Sequence, residues 1–249
     1  MIKNTGKKLI SLQKKMINSY LDDEFYSFFK EEVIISLKKV REIGLKNYSL
    51  SGNITSLKTN DFVSFESSLE RDFINCLEFD NSVLTYCEQP IKIFFTSNSK
   101  EKYYVPDFYI KYNDERIDEL VEVKYKTDLS RNKQKYEDKF KAAKIFCDNN
   151  NMIFKILDEN YVRTPFMENC KFLLPFRRLK NNIDFIDVGI IEERIKNHKH
   201  PTPNNIIIQS NFPEDRKAEL LHTLWFMIAN YIVNIDLENK INMNSKIWI

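Results

Sequence analysis

The spacing of apolar side chains changes several times along the chain, and the changes mark out its elements. In "FESSLERDFINCLEF" (65–79) apolar residues at 69, 73, 74 and 77 follow the spacing of a helix with one buried face. "VLTYCEQPIKIFF", "KYYVPDFYI" and "ELVEVKYK" then alternate as strands do; "RNKQKYEDKFKAAKIFCDNN" returns to helical spacing, and "MIFKILD" reads as a last strand. The predicted order is α-β-β-β-α-β. Three successive strands, then a helix and a return strand joined by a link long enough for a crossover, predict an α/β fold with a mixed sheet.

Two flanking regions differ in character. Residues 1–60 are polar and lysine-rich, with a helix expected over "FYSFFKEEVIISLKKVREIG", closed by Gly44, and a loop or arm in "NYSLSGNITSLKTND". After Pro165 come a short helix near "IEERIKN", the loop "HKHPTPNN", an apolar helix in "EDRKAELLHTLWFMIAN" and a terminal stretch that reads as a β-hairpin. Helices followed by a hairpin predict a small winged-helix-like α+β domain. The expected domains are therefore a basic helical segment and arm (1–60), a central α/β domain (61–163) and a C-terminal domain for partner or DNA contact (164–249).

Composition narrows the setting. A chain of 249 residues with 43% hydrophobic and 13% aromatic content can bury one good-sized core and a smaller second one. Its longest apolar run, "LWFMIANYIV", is interrupted by Asn230 and falls short of the roughly 18 residues that a membrane span needs. The N-terminus lacks the apolar core of a secretory signal, so a cytoplasmic protein is expected. Cys76, Cys87, Cys147 and Cys170 form no CxxC pair and read as reduced, mostly buried thiols. His198 and His200 lack a third ligand nearby and read as loop residues. Net charge is only +2; basic residues cluster in 1–60 and recur from Lys124 to Lys144, which permits phosphate binding but is equally the pattern of solvated helix faces.

The candidate chemistry lies in the central region. In a strand, Glu122 and Lys124 project to one face while Val121, Val123 and Tyr125 point to the other. Asp107 follows Pro106, a residue confined to strand edges, starts and bulges, and short connectivity through "KYNDERID" brings its strand beside that of Glu122. On the preceding helix Glu70 falls on the stripe of Phe73, Ile74 and Leu77, with Glu66 its rival one turn earlier. Crowded carboxylates stay ionised if a divalent cation holds them, and hard oxygen ligands suit Mg²⁺ or Mn²⁺. The simpler alternative is a salt bridge between Lys124 and a neighbouring acid on an exposed sheet face. Lys171, Lys180, Arg177 and Arg178 form a further basic group able to meet phosphate or to line a solvated linker.

These residues also carry a resemblance. "PDF" at 106–108 followed by "EVK" at 122–124 resembles the PD-(D/E)xK nuclease signature, and the element order resembles the restriction-endonuclease-like core. "SGNITSLK", "SFESSLERDFINCLEFDNSVLTYCEQP" and "YYVPDF" are similar to the TnsA endonuclease subunit of heteromeric transposases, over about residues 51–157. The resemblance implies catalytic roles for Glu70, Asp107, Glu122 and Lys124. It also implies a Mg²⁺ site (Mn²⁺ able to substitute) built from Asp107, Glu122, the Val123 carbonyl and Glu70, with one ion or two. Some relatives have glutamine at the position of Glu122, and Gln89 lies in the matching EQP element. The implied activity is hydrolysis of DNA at the 5′ ends of a transposable element in a bacterial cell. The implied partners are double-stranded transposon-end DNA, a DDE transposase (TnsB-like) and an ATPase regulator (TnsC-like). Lys126, Arg131, Lys133, Arg177 and Arg178 are the candidate DNA contacts. Two alternatives stand beside this: a free-standing PD-(D/E)xK nuclease of defence or repair, and a non-catalytic DNA-binding scaffold with a relict core. Because all four site residues precede Pro165, chemistry and recruitment are expected to separate there.

Overall fold

The computed structural model describes residues 50–177 and 183–249, which fall within one compact unit. The helix expected over 25–44, most of the basic N-terminal segment, Lys180 and Arg178 lie outside these residues.

The central sheet has four strands: β3 (Val83–Glu88), β6 (Phe108–Tyr112), β7 (Glu119–Val123) and β8 (Ile153–Leu157), in the order β3-β6-β7-β8. β3 and β6 pair antiparallel, as do β6 and β7, while β7 and β8 are parallel. The sheet is thus mixed, as expected from the long link before the last strand. β7 is buried along its whole length, so both faces of the sheet are covered. On one face lies α1 (Ser68–Phe79), whose Leu69, Phe73, Ile74 and Leu77 pack with Phe108, Ile110, Val121 and Val123. On the other lies α3 (Lys133–Asn149), which follows the short α2 (Lys126–Arg131) and forms the β7–β8 crossover; its Ala143 and Cys147 meet Tyr109 and Leu120.

Two predicted strands are each broken in two. "VLTYCEQPIKIFF" gives β3 and then β4 (Ile93–Ser97), because Gln89 takes a left-handed φ of 48° and Pro90 cannot continue a ladder. "KYYVPDFYI" likewise gives β5 (Lys100–Tyr104) and β6, separated at Val105 and Pro106. β4 and β5 form their own antiparallel hairpin, inserted between two core strands, with Ile93 and Tyr104 turned towards α3. The stretch read as loop before α1 also holds a strand: β1 (Gly52–Thr55) pairs with β2 (Phe62–Phe65), and Ile54, Val63 and Phe65 join the α1-side core.

Past Arg163 the chain is mainly helical. After α4 (Glu159–Val162), α5 (Pro165–Arg177), α6 (Phe185–Asn197), a π-helical turn (Asn204–Ile208) and α7 (Glu214–Ala229) enclose a second core. The terminal hairpin is reduced to two-residue strands, β9 (Asn234–Ile235) and β10 (Ile247–Trp248). Phe79, the last residue of α1, is fully buried in this second core. Arg177 donates to the carbonyls of Glu78 (2.7 Å) and Ala229 (2.8 Å) and to Asn81 Oδ1 (2.7 Å), and the Tyr231 hydroxyl donates to the Phe79 carbonyl (2.7 Å). Helix α1 thus contributes to both cores, the one built before Pro165 and the one built mainly after it. Among the described residues no helix is long and apolar enough to cross a membrane, and the four cysteines are free thiols.

Candidate active site

The site forms where β6 begins and β7 ends. The β6–β7 register pairs Phe108 with Val121, so one step further Asp107 stands opposite Glu122. The alternation that turns Phe108 and Ile110 towards α1 turns Asp107 and Tyr109 towards α3, and it sends Glu122 the same way. Backbone bonds fix the place: the Val123 N–H donates to Asp107 Oδ2 (2.8 Å), the Gln89 N–H to the Asp107 carbonyl (2.8 Å), and the Lys124 N–H to the Leu157 carbonyl (2.9 Å).

Glu122 is 2% exposed, and both its oxygens are engaged. Tyr104 donates to Oε2 (2.6 Å), while Oε1 faces Lys139 Nζ at 3.1 Å and Lys124 Nζ at 3.5 Å. Glu122 and Lys124 do share a face, as the strand period predicts. The pair is nevertheless no exposed salt bridge, since α3 and the β4–β5 hairpin cover it. Lys139 and Tyr104 escaped the sequence reading. One lies in a helix whose lysines look like solvated surface, and the other belongs to a hairpin made from pieces of two predicted strands.

Glu70 comes from the helix on the opposite face of the sheet and acts on Asp107 and Lys124 through its charge. Its carboxylate accepts from the Glu66 N–H (2.8 Å) and the Ser67 hydroxyl (2.9 Å), while Ser67 Oγ accepts from the Glu70 N–H (3.1 Å). This is a reciprocal N-terminal cap of the Ser-x-x-Glu kind, a signal present in "SSLE". Asp72 of the same segment is held by Arg163 at 2.9 Å and Arg71 at 2.8 Å, a structural pairing.

The electrostatics tie the four predicted residues together. Burial pushes the Asp107 carboxyl well above the usual carboxylate range; the charges of Glu122 and Glu70 push it further, and Lys124 opposes them. Burial also raises Glu70, against its cap bonds and Lys124. At Lys124 burial favours the neutral amine, yet Asp107 and Glu122 together outweigh it and hold the ammonium above its ordinary range. Glu70, Asp107, Glu122 and Lys124 are thus electrostatic neighbours.

Two or three carboxylates are a chemically suitable donor set for a hard divalent cation. Both oxygens of Glu122 and of Glu70 and Oδ2 of Asp107 face protein donors, and among the described residues no group of three or more acidic, histidine or cysteine side chains is clustered as a metal site. Gln89 adds an oddity beside Asp107. It is 7% exposed, its Oε1 has no hydrogen-bond partner, and its φ is the left-handed one noted above.

The proposed DNA contacts fare unequally. Lys126, Arg131 and Lys133 are exposed on α2 and at the start of α3. Arg177 instead is the strut between the two cores, its guanidinium also lying over the rings of Phe79 and Tyr231 at 4.7 and 5.1 Å. Its donors go to the protein, which corrects the reading of this residue as a phosphate contact.

Residues 80–159 match the family model described as TnsA-like endonuclease N terminal. That span holds β3 to β8 and includes Asp107, Glu122, Lys124 and Lys139, while Glu70 lies just before it. No curated protein matches the chain.

Proposed function

From a chain whose residues 80–159 are of the TnsA-like endonuclease type, we propose a DNA-cutting subunit of a heteromeric transposase that hydrolyses phosphodiesters at the 5′ ends of the element. The observation that carries this reading is the meeting of Asp107, Glu122 and Lys124 at one end of the central sheet, fixed by the Val123–Asp107 and Lys124–Glu122 contacts.

Asp107 and Glu122, with the Val123 carbonyl, would hold Mg²⁺ or Mn²⁺, and Glu70 would complete the shell. A bound divalent ion supplies charge stabilisation for the phosphate and an activated water. Lys124 orients the attacking water and offsets charge that builds on the phosphate oxygens. Asp107 is turned towards the site by its bond from Val123, and Tyr104 fixes the plane of the Glu122 carboxylate. Lys126, Arg131 and Lys133, exposed beside the site, hold the DNA backbone. The C-terminal region, winged-helix-like in its order of helices and hairpin, docks the TnsC-like regulator, and a TnsB-like transposase handles the 3′ ends.

Cleavage of transposon-end DNA by the reconstituted subunits in Mg²⁺ tests this. Lys124→Ala should keep its fold and its metal binding yet lose at least about a hundredfold in 5′-strand cutting, about 3 kcal/mol of transition-state stabilisation. Efficient cutting of a defined site by the isolated chain would instead favour a free-standing nuclease.

A further inference from the structure

Lys139 is the cation nearest to Glu122, closer than the lysine of the E-x-K motif, and it is held more firmly. Its ammonium lies 4.5 Å from the ring centres of Tyr104 and Tyr136 and 4.9 Å from that of Phe140. Tyr136 and Phe140 stack at 5.3 Å, and the Tyr136 hydroxyl is anchored on Asp128 Oδ2 at 2.5 Å. Three aromatic faces around one ammonium make a fixed cation. Tyr104 serves twice, as a wall of that cage and as the donor to the other oxygen of Glu122. Lys124, by contrast, is 28% exposed against 20% for Lys139, and stands 3.5 Å rather than 3.1 Å from the same oxygen.

We propose that Lys139 is a built-in counter-cation: a positioning residue that occupies the charge place beside Glu122 in the metal-free protein and competes with the divalent ion for it. The inference rests on the reading of Asp107 and Glu122 as metal ligands. Glu122 is almost fully buried, and a carboxylate in that position without a positive partner is strongly disfavoured. The cage supplies the partner permanently and keeps the site folded and aimed before any ion arrives. A divalent ion bound to Glu122 sits on the order of 2–2.5 Å from a carboxylate oxygen, so it lies within a few ångströms of the caged ammonium unless Lys139 withdraws. Two positive charges at that separation repel by an amount that weakens ion binding tenfold or more. The two lysines thus have different tasks. Lys124, the longer-range and more exposed partner of Glu122, addresses substrate, and Lys139 sets how readily the site takes up its ion.

The test is calorimetric titration of the full-length chain with Mn²⁺ and no DNA, together with thermal melting with and without Mn²⁺. Lys139→Met should melt lower than the unmodified protein without metal, bind Mn²⁺ at least tenfold more tightly, and recover most of its lost melting temperature when Mn²⁺ is added. Lys139→Arg, which keeps the charge, should retain the weak affinity; it also serves as the folded comparison if the methionine variant is too unstable to titrate, since lowered metal competition would then be sought in Lys139→Gln. Equal or weaker Mn²⁺ binding in the neutral variants, with Asp107→Asn abolishing binding, overturns the role of Lys139 alone. Unchanged Mn²⁺ affinity in Asp107→Asn places the ion elsewhere and removes the reading on which the proposal stands.

Discussion

Asp107, half-buried, faces two acidic neighbours and one lysine, and desolvation together with the two acids raises its carboxyl above the ordinary range against the pull of Lys124. The sign for stability follows. An unfolded chain sheds this proton near the ordinary value of 3.8, the folded protein keeps it to higher pH, and so the folded state binds more protons in between. Stability of the metal-free protein should therefore fall as pH rises above about 4, with Glu70 acting in the same direction. Asp107→Asn keeps an oxygen for the Val123 N–H but removes the charge. At pH 7.5 without metal it should be more stable than the unmodified protein, because it removes a carboxyl whose ionisation burial and the neighbouring acids oppose, while losing Mn²⁺ binding and cutting. Melting curves across pH 4–8, with and without Mg²⁺, check both, and the metal should flatten the slope of the unmodified protein. The place of Asp107 at the start of its strand was legible in the sequence because Pro106 marked an irregular strand entry. The unpartnered Oε1 of Gln89 was not, since a residue before proline reads as simple strand entry.

Helix α1 and the β4–β5 hairpin each supply the site with one residue through an element whose local job is different. Glu70 closes the N-terminal cap of α1, so a change there mixes helix stability with chemistry. Two substitutions separate them. Glu70→Gln retains an acceptor for the Glu66 N–H and should leave the melting temperature nearly unchanged, yet it should reduce cutting if the charge takes part. Glu70→Ala should cost about 1 kcal/mol of stability as well, as lost caps do. Equal cutting by the glutamine variant and the unmodified protein would assign Glu70 to the cap alone. The α1 and β6–β7 elements followed from periodicity, because their apolar faces are long and regular. The hairpin did not, because "VLTYCEQPIKIFF" and "KYYVPDFYI" look continuous in apolar character, and only backbone conformation at Gln89 and the prolines at 90 and 106 divide them. β1 was hidden for a related reason: its residues alternate between half-buried and exposed, and Gly52, Asn53 and Thr55 carry a turn-like composition.

For the molecule as a whole, the expectation of a nuclease half that stands alone before Pro165 meets a shared helix. α1 gives Leu69, Phe73, Ile74 and Leu77 to one core and Phe79 to the other, and Arg177 and Tyr231 bond its last carbonyls. Exposing Phe79 alone costs about 1.5–3 kcal/mol, against a total stability of about 5–15 kcal/mol for a domain. A fragment ending at residue 163 should melt without a cooperative transition, whereas the full chain should unfold as a unit, with α1 amides exchanging hydrogen only on global opening. A fragment that melts cooperatively near the temperature of the full chain would show the halves to be independent. The same arrangement sets a schedule for the protein during its synthesis. The Tyr231 hydroxyl reaches back 152 residues to the Phe79 carbonyl, and at about 5–20 residues per second the ribosome needs on the order of 8–30 s to span that distance. Through that interval the carboxylates and their lysines already exist on a nascent chain whose supporting helix is still uncovered at one end, so the DNA-cutting competence proposed for this protein would arrive only after Tyr231 has been made.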